Sequence, residues 1–343
     1  MTDATLPPEL RSWVAGHLPA LDQVDDFSWP RSSSRVWRVG VGGSEAFVKV
    51  SPSDRTFRRE VAGYAYTRRI LTRRQAPRLL ACDPDLRAIL TTALPGSVVR
   101  GLPLDRNVEL RLHEDAGRLL RHWHDRSDSG AEEDRAAVRS VMQAYAREAA
   151  DCRVSLVGHL SPDVLALVEA AAAEIPGLAE RLPLVFLHGD YATRNWLYDA
   201  ESGGHALIDF EAARYGLVVE EFVWLNGALW PERTDLHDAF FTGYGHPPQP
   251  AEARLLRLLT VRLGASYLLN GLLQGREDLQ ARGRLALDRM AALADAETVG
   301  RFAESTLPSI LDHQGEQGSA QPIRRSEAHS LQPVTSPWPG FSH

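Results

Sequence analysis

Asp190, Asn195 and Asp209 are the residues of this chain whose types and spacing could do chemistry. Asp190 and Asn195 stand in Leu187-His188-Gly189-Asp190-Tyr191-Ala192-Thr193-Arg194-Asn195, an H-x-D-x(4)-N pattern, and Ile208-Asp209-Phe210 follows fourteen residues after Asn195. Two carboxylates and an amide at this spacing suit phosphoryl transfer from ATP. One carboxylate orients the attacking hydroxyl and can take its proton, while the amide oxygen and the second carboxylate hold magnesium on the phosphates. Each residue alone is an ordinary loop-tip polar group. The frame around them adds weight: residues 184–187 form a short apolar run before the loop, and 206–208 read as a strand that delivers Asp209. Residues 198–204, with Gly203-Gly204, supply the turn between two strands, so Asp190 and Asp209 are expected on neighbouring loops.

A second signal is compositional. Of 38 Lys plus Arg residues, Lys49 is the single lysine. A compact ammonium and a planar guanidinium fork act differently on a phosphate, so one lysine in an arginine-rich chain marks a position with its own requirement. Lys49 lies in the apolar run Ala46-Phe47-Val48-Lys49-Val50, which resembles the V-A-I-K pattern of a kinase strand. Ser51-Pro52-Ser53-Asp54 then reads as a helix start. Phe57, Val61 and Tyr64 make one apolar helix face with Glu60 beside it, so Glu60 is expected to reach back to Lys49.

Together these residues resemble the aminoglycoside phosphotransferase and choline-kinase-like family, a branch of the protein-kinase fold, over roughly residues 20–300. The resemblance implies an α+β, two-lobed fold: an N-lobe of antiparallel sheet plus helix over 1–94, a larger, mainly helical C-lobe over 95–305, and a tail over 306–343. It implies Asp190 as catalytic base, Asn195 and Asp209 as magnesium ligands, and Lys49, oriented by Glu60, on the phosphates of ATP or GTP. His188-Gly189-Asp190 matches the family's H-G-D where protein kinases show H-R-D, and Glu211 replaces the glycine of D-F-G. No A-P-E segment follows, which disfavours a protein substrate. In many relatives the next stretch carries G-x-x-x-x-D-L; here Glu221 occupies the Asp position. Residues 88–96, ending in Pro95-Gly96, are similar to the family's lobe hinge, implying backbone contacts to adenine near Thr92 and Leu94. The protein-kinase glycine loop is absent, and Ser32-Ser33-Ser34 would take its place above the phosphates, with Ser33 and Ser34 as contacts.

Arg194 is expected either to stabilise transition-state charge or to fix Asp209. By the resemblance, helices after Asp209 line the acceptor cleft. There Glu211, Glu220, Glu221, Glu232 and Asp235 suit an amine-bearing, cationic acceptor, and Trp224 and Trp230 suit stacking. The leading expectation is a kinase of a hydroxylated antibiotic of aminoglycoside, nucleoside or peptide type, serving resistance or self-protection. A metabolic kinase of choline, homoserine or sugar type is the alternative, and a catalytically silent nucleotide-binding protein the reading of another class.

The rest of the chain is compatible. Its 343 residues can hold two lobes. A net charge of −7 argues against general nucleic-acid binding. No stretch reaches the apolar length of a bilayer span, and the start MTDATLPPEL lacks the marks of a signal peptide, so a cytoplasmic protein is expected. Cys82 and Cys152 are too few and too far apart for a disulfide framework or zinc site and read as packing residues. The Gly40-x-Gly42-Gly43 cluster is followed by a strand, not the helix a dinucleotide turn requires. His122 and His124 are two apart and share no helical face, so capping or packing is expected of them. Helices are expected over 8–17, around 110–120 and 164–173, and over 252–273 and 278–295.

Overall fold

The computed structural model describes residues 6–18, 21–28 and 34–305, with the backbone alone for Val41 and for 294–305. Contacts group the chain into two compact units, Met1–Leu293 and Ala294–His343. Ser33 and the 306–343 tail lie outside the described residues.

The chain begins with α1 (Pro8–Ala15), entered through the prolines at 7 and 8. Then come β1 (Gln23–Asp26), β2 (Arg35–Val41) and β3 (Ser44–Val50), the last two joined by the expected Gly42-Gly43 turn, both glycines at positive φ. The helix α2 (Asp54–Ile70) starts where Ser53 accepts the N–H of Thr56. β4 (Leu79–Asp83) and β5 (Ala88–Thr92) complete an antiparallel sheet of order β1-β2-β3-β5-β4. Alternation along β3 sends Ala46 and Val48 into one small core with Leu10, Val14, Trp37 and Leu90, and turns Lys49 to the opposite face.

After a short β6 (Ser97–Val98) the chain is mainly helical: α3 (Arg106–Asp125), α4 (Glu132–Ser155) and α5 (Pro162–Ala179). β7 (Val185–Leu187), β8 (Trp196–Asp199) and β9 (Gly204–Leu207) frame the loop that carries Asp190, and β10 (Arg214–Gly216) pairs with β7. α6 (Val223–Ala228), α7 (Thr234–Tyr244), α8 (Pro250–Gln274) and α9 (Glu277–Ser305) follow. The α8–α9 break sits at Gly275, a left-handed cap. A second, larger core joins α3, α4, α5 and α8 to the Trp196 and Phe210 segments.

The histidines of α3 are used in packing, as expected: His122 Nε2 bonds the Ile70 carbonyl and His124 Nδ1 the Tyr244 hydroxyl. One packing expectation fails. Cys152 is buried, but Cys82 is exposed, because it takes an outward position in β4. No described helix is long and apolar enough to cross a membrane.

Candidate active site

Lys49 sits mid-sheet, opposite Val36 of β2 and Ile89 of β5, so its stem is fixed on both sides. Its ammonium lies 3.1 Å from Glu60 Oε1, 2.7 Å from Asp209 Oδ1 and 2.8 Å from Glu211 Oε2. Glu60 comes from the buried side of α2, with 1 % of its side chain exposed, so the cation is what compensates its charge. Burial alone would favour a neutral Lys49, but Asp209, Glu60 and Glu211 together push its pKa well above the ordinary value. Burial, with repulsion from Asp209 and Glu211, raises Glu60 despite the Lys49 contact. Burial would raise Asp209 too, yet Lys49 outweighs it and holds that carboxyl below its usual range. Asp209 also keeps 35 % of its side chain exposed at the cleft, which helps it stay ionised. Ser34 joins this group, donating its hydroxyl to Glu211 Oε2 at 2.9 Å.

The loop after β7 carries the second half of the site. Asn195 donates its amide Nδ2 to Asp190, 2.9 Å from the carbonyl and 2.8 Å from Oδ2, leaving the amide oxygen as its remaining acceptor. Arg194 grips the same carboxylate as a fork, Nε to Oδ2 at 3.1 Å and Nη2 to Oδ1. Of the two roles expected for Arg194, fixing Asp209 does not fit: it fixes Asp190 instead. The strand pair β8–β9 ends with Trp196 opposite Leu207, and one step on the Ile208 N–H donates to the Asn195 carbonyl at 3.0 Å. That bond brings Asp209 beside the Asp190 loop. His188, fully buried, donates from Nε2 to the Ile208 carbonyl at 3.1 Å and so ties the loop to the segment that carries Asp209. Asp209 itself has φ 67°, a left-handed conformation that aspartate tolerates better than most side chains.

Two glycines are dictated by this crossing. Gly189 has φ 83°, and a Cβ there would lie 2.2 Å from the Ala212 carbonyl oxygen, which accounts for H-G-D in place of H-R-D. On α2, a Cβ at Gly63 would meet Phe210 Cβ at 2.4 Å, so the helix that carries Glu60 can approach the Asp209 segment. Phe210 is buried there edge-on to Tyr64, with ring centroids 4.9 Å apart.

At the hinge, the Thr92 N–H donates to the Arg78 carbonyl and the Ala93 N–H to Glu45. Any backbone donation to a base therefore falls to Leu94, whose N–H has no backbone acceptor among the described residues. The Thr92 hydroxyl accepts the Arg78 N–H at 2.9 Å and keeps its own proton to donate.

The acceptor-side expectations are corrected. Glu221 is fully buried and accepts the N–H of His188 at 2.6 Å and of Gly189 at 3.0 Å, so it clamps the Asp190 loop from behind. Glu220 pairs with Arg214 and caps the Leu217 N–H at 2.9 Å. Glu232 pairs with Arg289, and Asp235 is held by Arg233 and Arg106. Trp230 is 2 % exposed and packed among Phe222, Phe240 and Phe241, a core aromatic with no face for a ligand. Of the two tryptophans, Trp224 lies beside the Asp190 loop, half-buried with the Arg194 guanidinium 5.9 Å from its ring centre, while Glu211 sits on the other side against Lys49 at 2.8 Å. His188 as the tie between the two segments, and the arginine partners of the acidic residues, went unread in the sequence. Nothing in the spacing of such partners marks them before the chain is folded.

Among the described residues, no group of three or more His, Cys, Asp and Glu could hold a metal ion. Magnesium asks for less: one or two protein oxygens complete its shell with phosphate and water. The Asn195 amide oxygen and the Asp209 carboxylate are hard oxygen donors of that kind.

No curated protein sequence matches the chain. Solved structures do. The GDP complex of aminoglycoside 2'-phosphotransferase-IIIa aligns with TM-score 0.60 and 13% identity over 83% of this chain and 98% of that one. The streptomycin–ATP complex of APH(2")-IIa aligns with TM-score 0.59 and 15% identity over 83% and 99%. The ADP and hygromycin B complex of APH(4)-Ia gives 0.56 and 17% over 83% and 98%. At these identities the likeness is one of fold, the kinase-like α+β fold. The sequence itself goes further: residues 28–256 match the profile of the phosphotransferase enzyme family, and the chain belongs to that family.

Proposed function

We propose that this protein is an ATP-dependent O-phosphotransferase that moves the γ-phosphate to a hydroxyl of a small molecule in the cytoplasm. The observation that carries the reading is the convergence of four side chains from three segments, with Lys49 2.7 Å from Asp209 and Asn195 2.8 Å from Asp190. Asp190 orients the acceptor hydroxyl and takes its proton as the O–P bond forms and the bond to the leaving ADP breaks. Arg194 and Asn195 hold the Asp190 carboxylate so that one orientation is presented to the acceptor. Lys49 neutralises phosphate charge and is kept aimed by Glu60. Asn195 and Asp209 would hold magnesium, which when bound neutralises charge between the phosphates.

Family membership supports a phosphotransferase with a hydroxyl acceptor. An antibiotic acceptor rests on the aminoglycoside kinases that share the fold. A metabolic acceptor is supported by the internal pairing of Glu220, Glu232 and Asp235, which commits these three carboxylates to arginines. The test is a panel of hydroxylated antibiotics and metabolites incubated with MgATP and read by mass spectrometry. A gain of one phosphate that stops with EDTA is expected; transfer at the normal rate in EDTA, or no magnesium-dependent ATP turnover under any condition, would reject the proposal.

A further inference from the structure

An ammonium has three N–H groups, and those of Lys49 face three carboxylates: Glu60 at 3.1 Å, Asp209 at 2.7 Å and Glu211 at 2.8 Å. A phosphate oxygen can take an N–H of Lys49 only from one of them. The three differ in what each would lose. Glu60 is sealed on α2 with 1 % of its side chain exposed, and its other partner is the Ser51 hydroxyl at 3.4 Å. Without Lys49 it would be a buried charge with one weak hydrogen bond, which is costly. Asp209 has a short side chain on a backbone held at φ 67°, so its carboxylate has little reach. Glu211 has one more rotatable bond and keeps 34 % of its side chain exposed, so water can replace Lys49 there.

The position of Glu211 points the same way as its freedom. A single oxygen, Oε2, lies 2.8 Å from Lys49 Nζ and 2.9 Å from Ser34 Oγ, which donates to it. Ser34 comes from the serine segment expected over the phosphates, and Lys49 is the cation expected to bind them. One carboxylate oxygen therefore sits on both groups assigned to phosphate, joining residues 177 apart in the chain. Three carboxylates around one ammonium also leave an excess of negative charge, so a phosphate entering here is repelled unless a cation comes with it. We infer that Glu211 gives up its place on Lys49 and Ser34 to a nucleotide phosphate, and that its charge makes the site select the magnesium complex of the nucleotide over the free nucleotide. Glu211 thus belongs to the nucleotide side of the cleft and determines specificity there. This inference rests on the phosphotransferase reading, which assigns Lys49 to the phosphates.

Adenosine, ATP with EDTA and ATP with magnesium are titrated calorimetrically into wild type and Glu211→Gln. The variant should bind metal-free ATP about 10-fold more tightly than wild type, since carboxylate–phosphate repulsion at a part-exposed site is worth about that much. Adenosine has no phosphate and should bind both proteins equally, and the gain with MgATP should be smaller than the gain with metal-free ATP. An unchanged preference for MgATP over metal-free ATP, or an equal gain with adenosine, overturns the inference. A second measurement reads Lys49 itself. Growth on lysine labelled at ¹⁵Nζ gives one ammonium signal, because the chain has a single lysine. MgATP should move that signal in wild type, and Glu211→Gln should move it before any nucleotide is added. A signal that the substitution leaves in place overturns the inference, whatever the titrations give. MgATP that fails to bind wild type, or binds without moving the signal, would instead reject the phosphate role of Lys49 and the phosphotransferase reading with it.

Discussion

Glu221 Oε1 lies 2.6 Å from the backbone nitrogen of His188, 33 residues earlier in the chain. The same carboxylate receives the N–H groups of both His188 and Gly189. With 1 % of its surface exposed, this acceptor has no water to replace those bonds.

Removing that carboxylate should therefore cost both stability and turnover. Glu221→Ala is expected to lose about 2–4 kcal/mol, the range for two stranded buried donors that had a charged acceptor. Glu221→Gln keeps one oxygen and should lose less than half as much. Urea midpoints and kcat measured on the same samples check this; an alanine variant as stable as wild type would contradict the clamp.

Asp190→Asn should lower kcat by about 10²–10⁴, the usual contribution of a positioned proton acceptor, and leave the Kd for MgATP within about threefold. The split is expected because the proposed role of Asp190 is toward the acceptor, while Lys49 and Asp209 remain paired in the variant. Near-full turnover would remove Asp190 from the mechanism.

Lys49 offers a chemical handle, since it is the single lysine among the 343 residues. An amine-reactive ATP analogue should label Lys49, excess MgATP should block it, and terminal labelling should stay constant. Lys49→Arg should lose most activity, because a guanidinium fork cannot fit among Glu60, Asp209 and Glu211 where a point charge now sits. Protection that never appears, with an active arginine variant, would disconnect Lys49 from the nucleotide.

His205 should make the fold acid-sensitive. Both its ring nitrogens are covered and have no hydrogen-bond partner among the described residues, although the residue as a whole is only half-buried against Trp196. Burial, aided by His113, pushes its pKa down to about 3. Below pH 6.5 the unfolded chain takes up a proton that the folded ring refuses, so stability is lost as pH falls from about 6.5 towards about 3. At pH 5 the loss from this group should be about 1–2 kcal/mol. His205→Gln should flatten that part of the stability–pH curve relative to wild type; identical slopes would exclude the histidine as its source.

What the sequence determined by itself is the local chemistry. Strand alternation turned Lys49 away from the Val48 core, helix periodicity set Glu60 beside Phe57 and Tyr64, and the 198–204 turn joined β8 to β9. These features depend on neighbours within a few residues, and such patterns are written along the chain. The fate of the acidic residues after Asp209 was decided only by the tertiary structure. Glu220, Glu221, Glu232 and Asp235 look alike as a string of carboxylates, yet Arg214, the His188 backbone, Arg289 and Arg233 each claim one. Trp224 and Trp230 differ in the same way, one beside Arg194 and the other sealed among phenylalanines. A long-range partner leaves no periodic trace, because charge pairing and burial depend on which distant segments the packed core brings together.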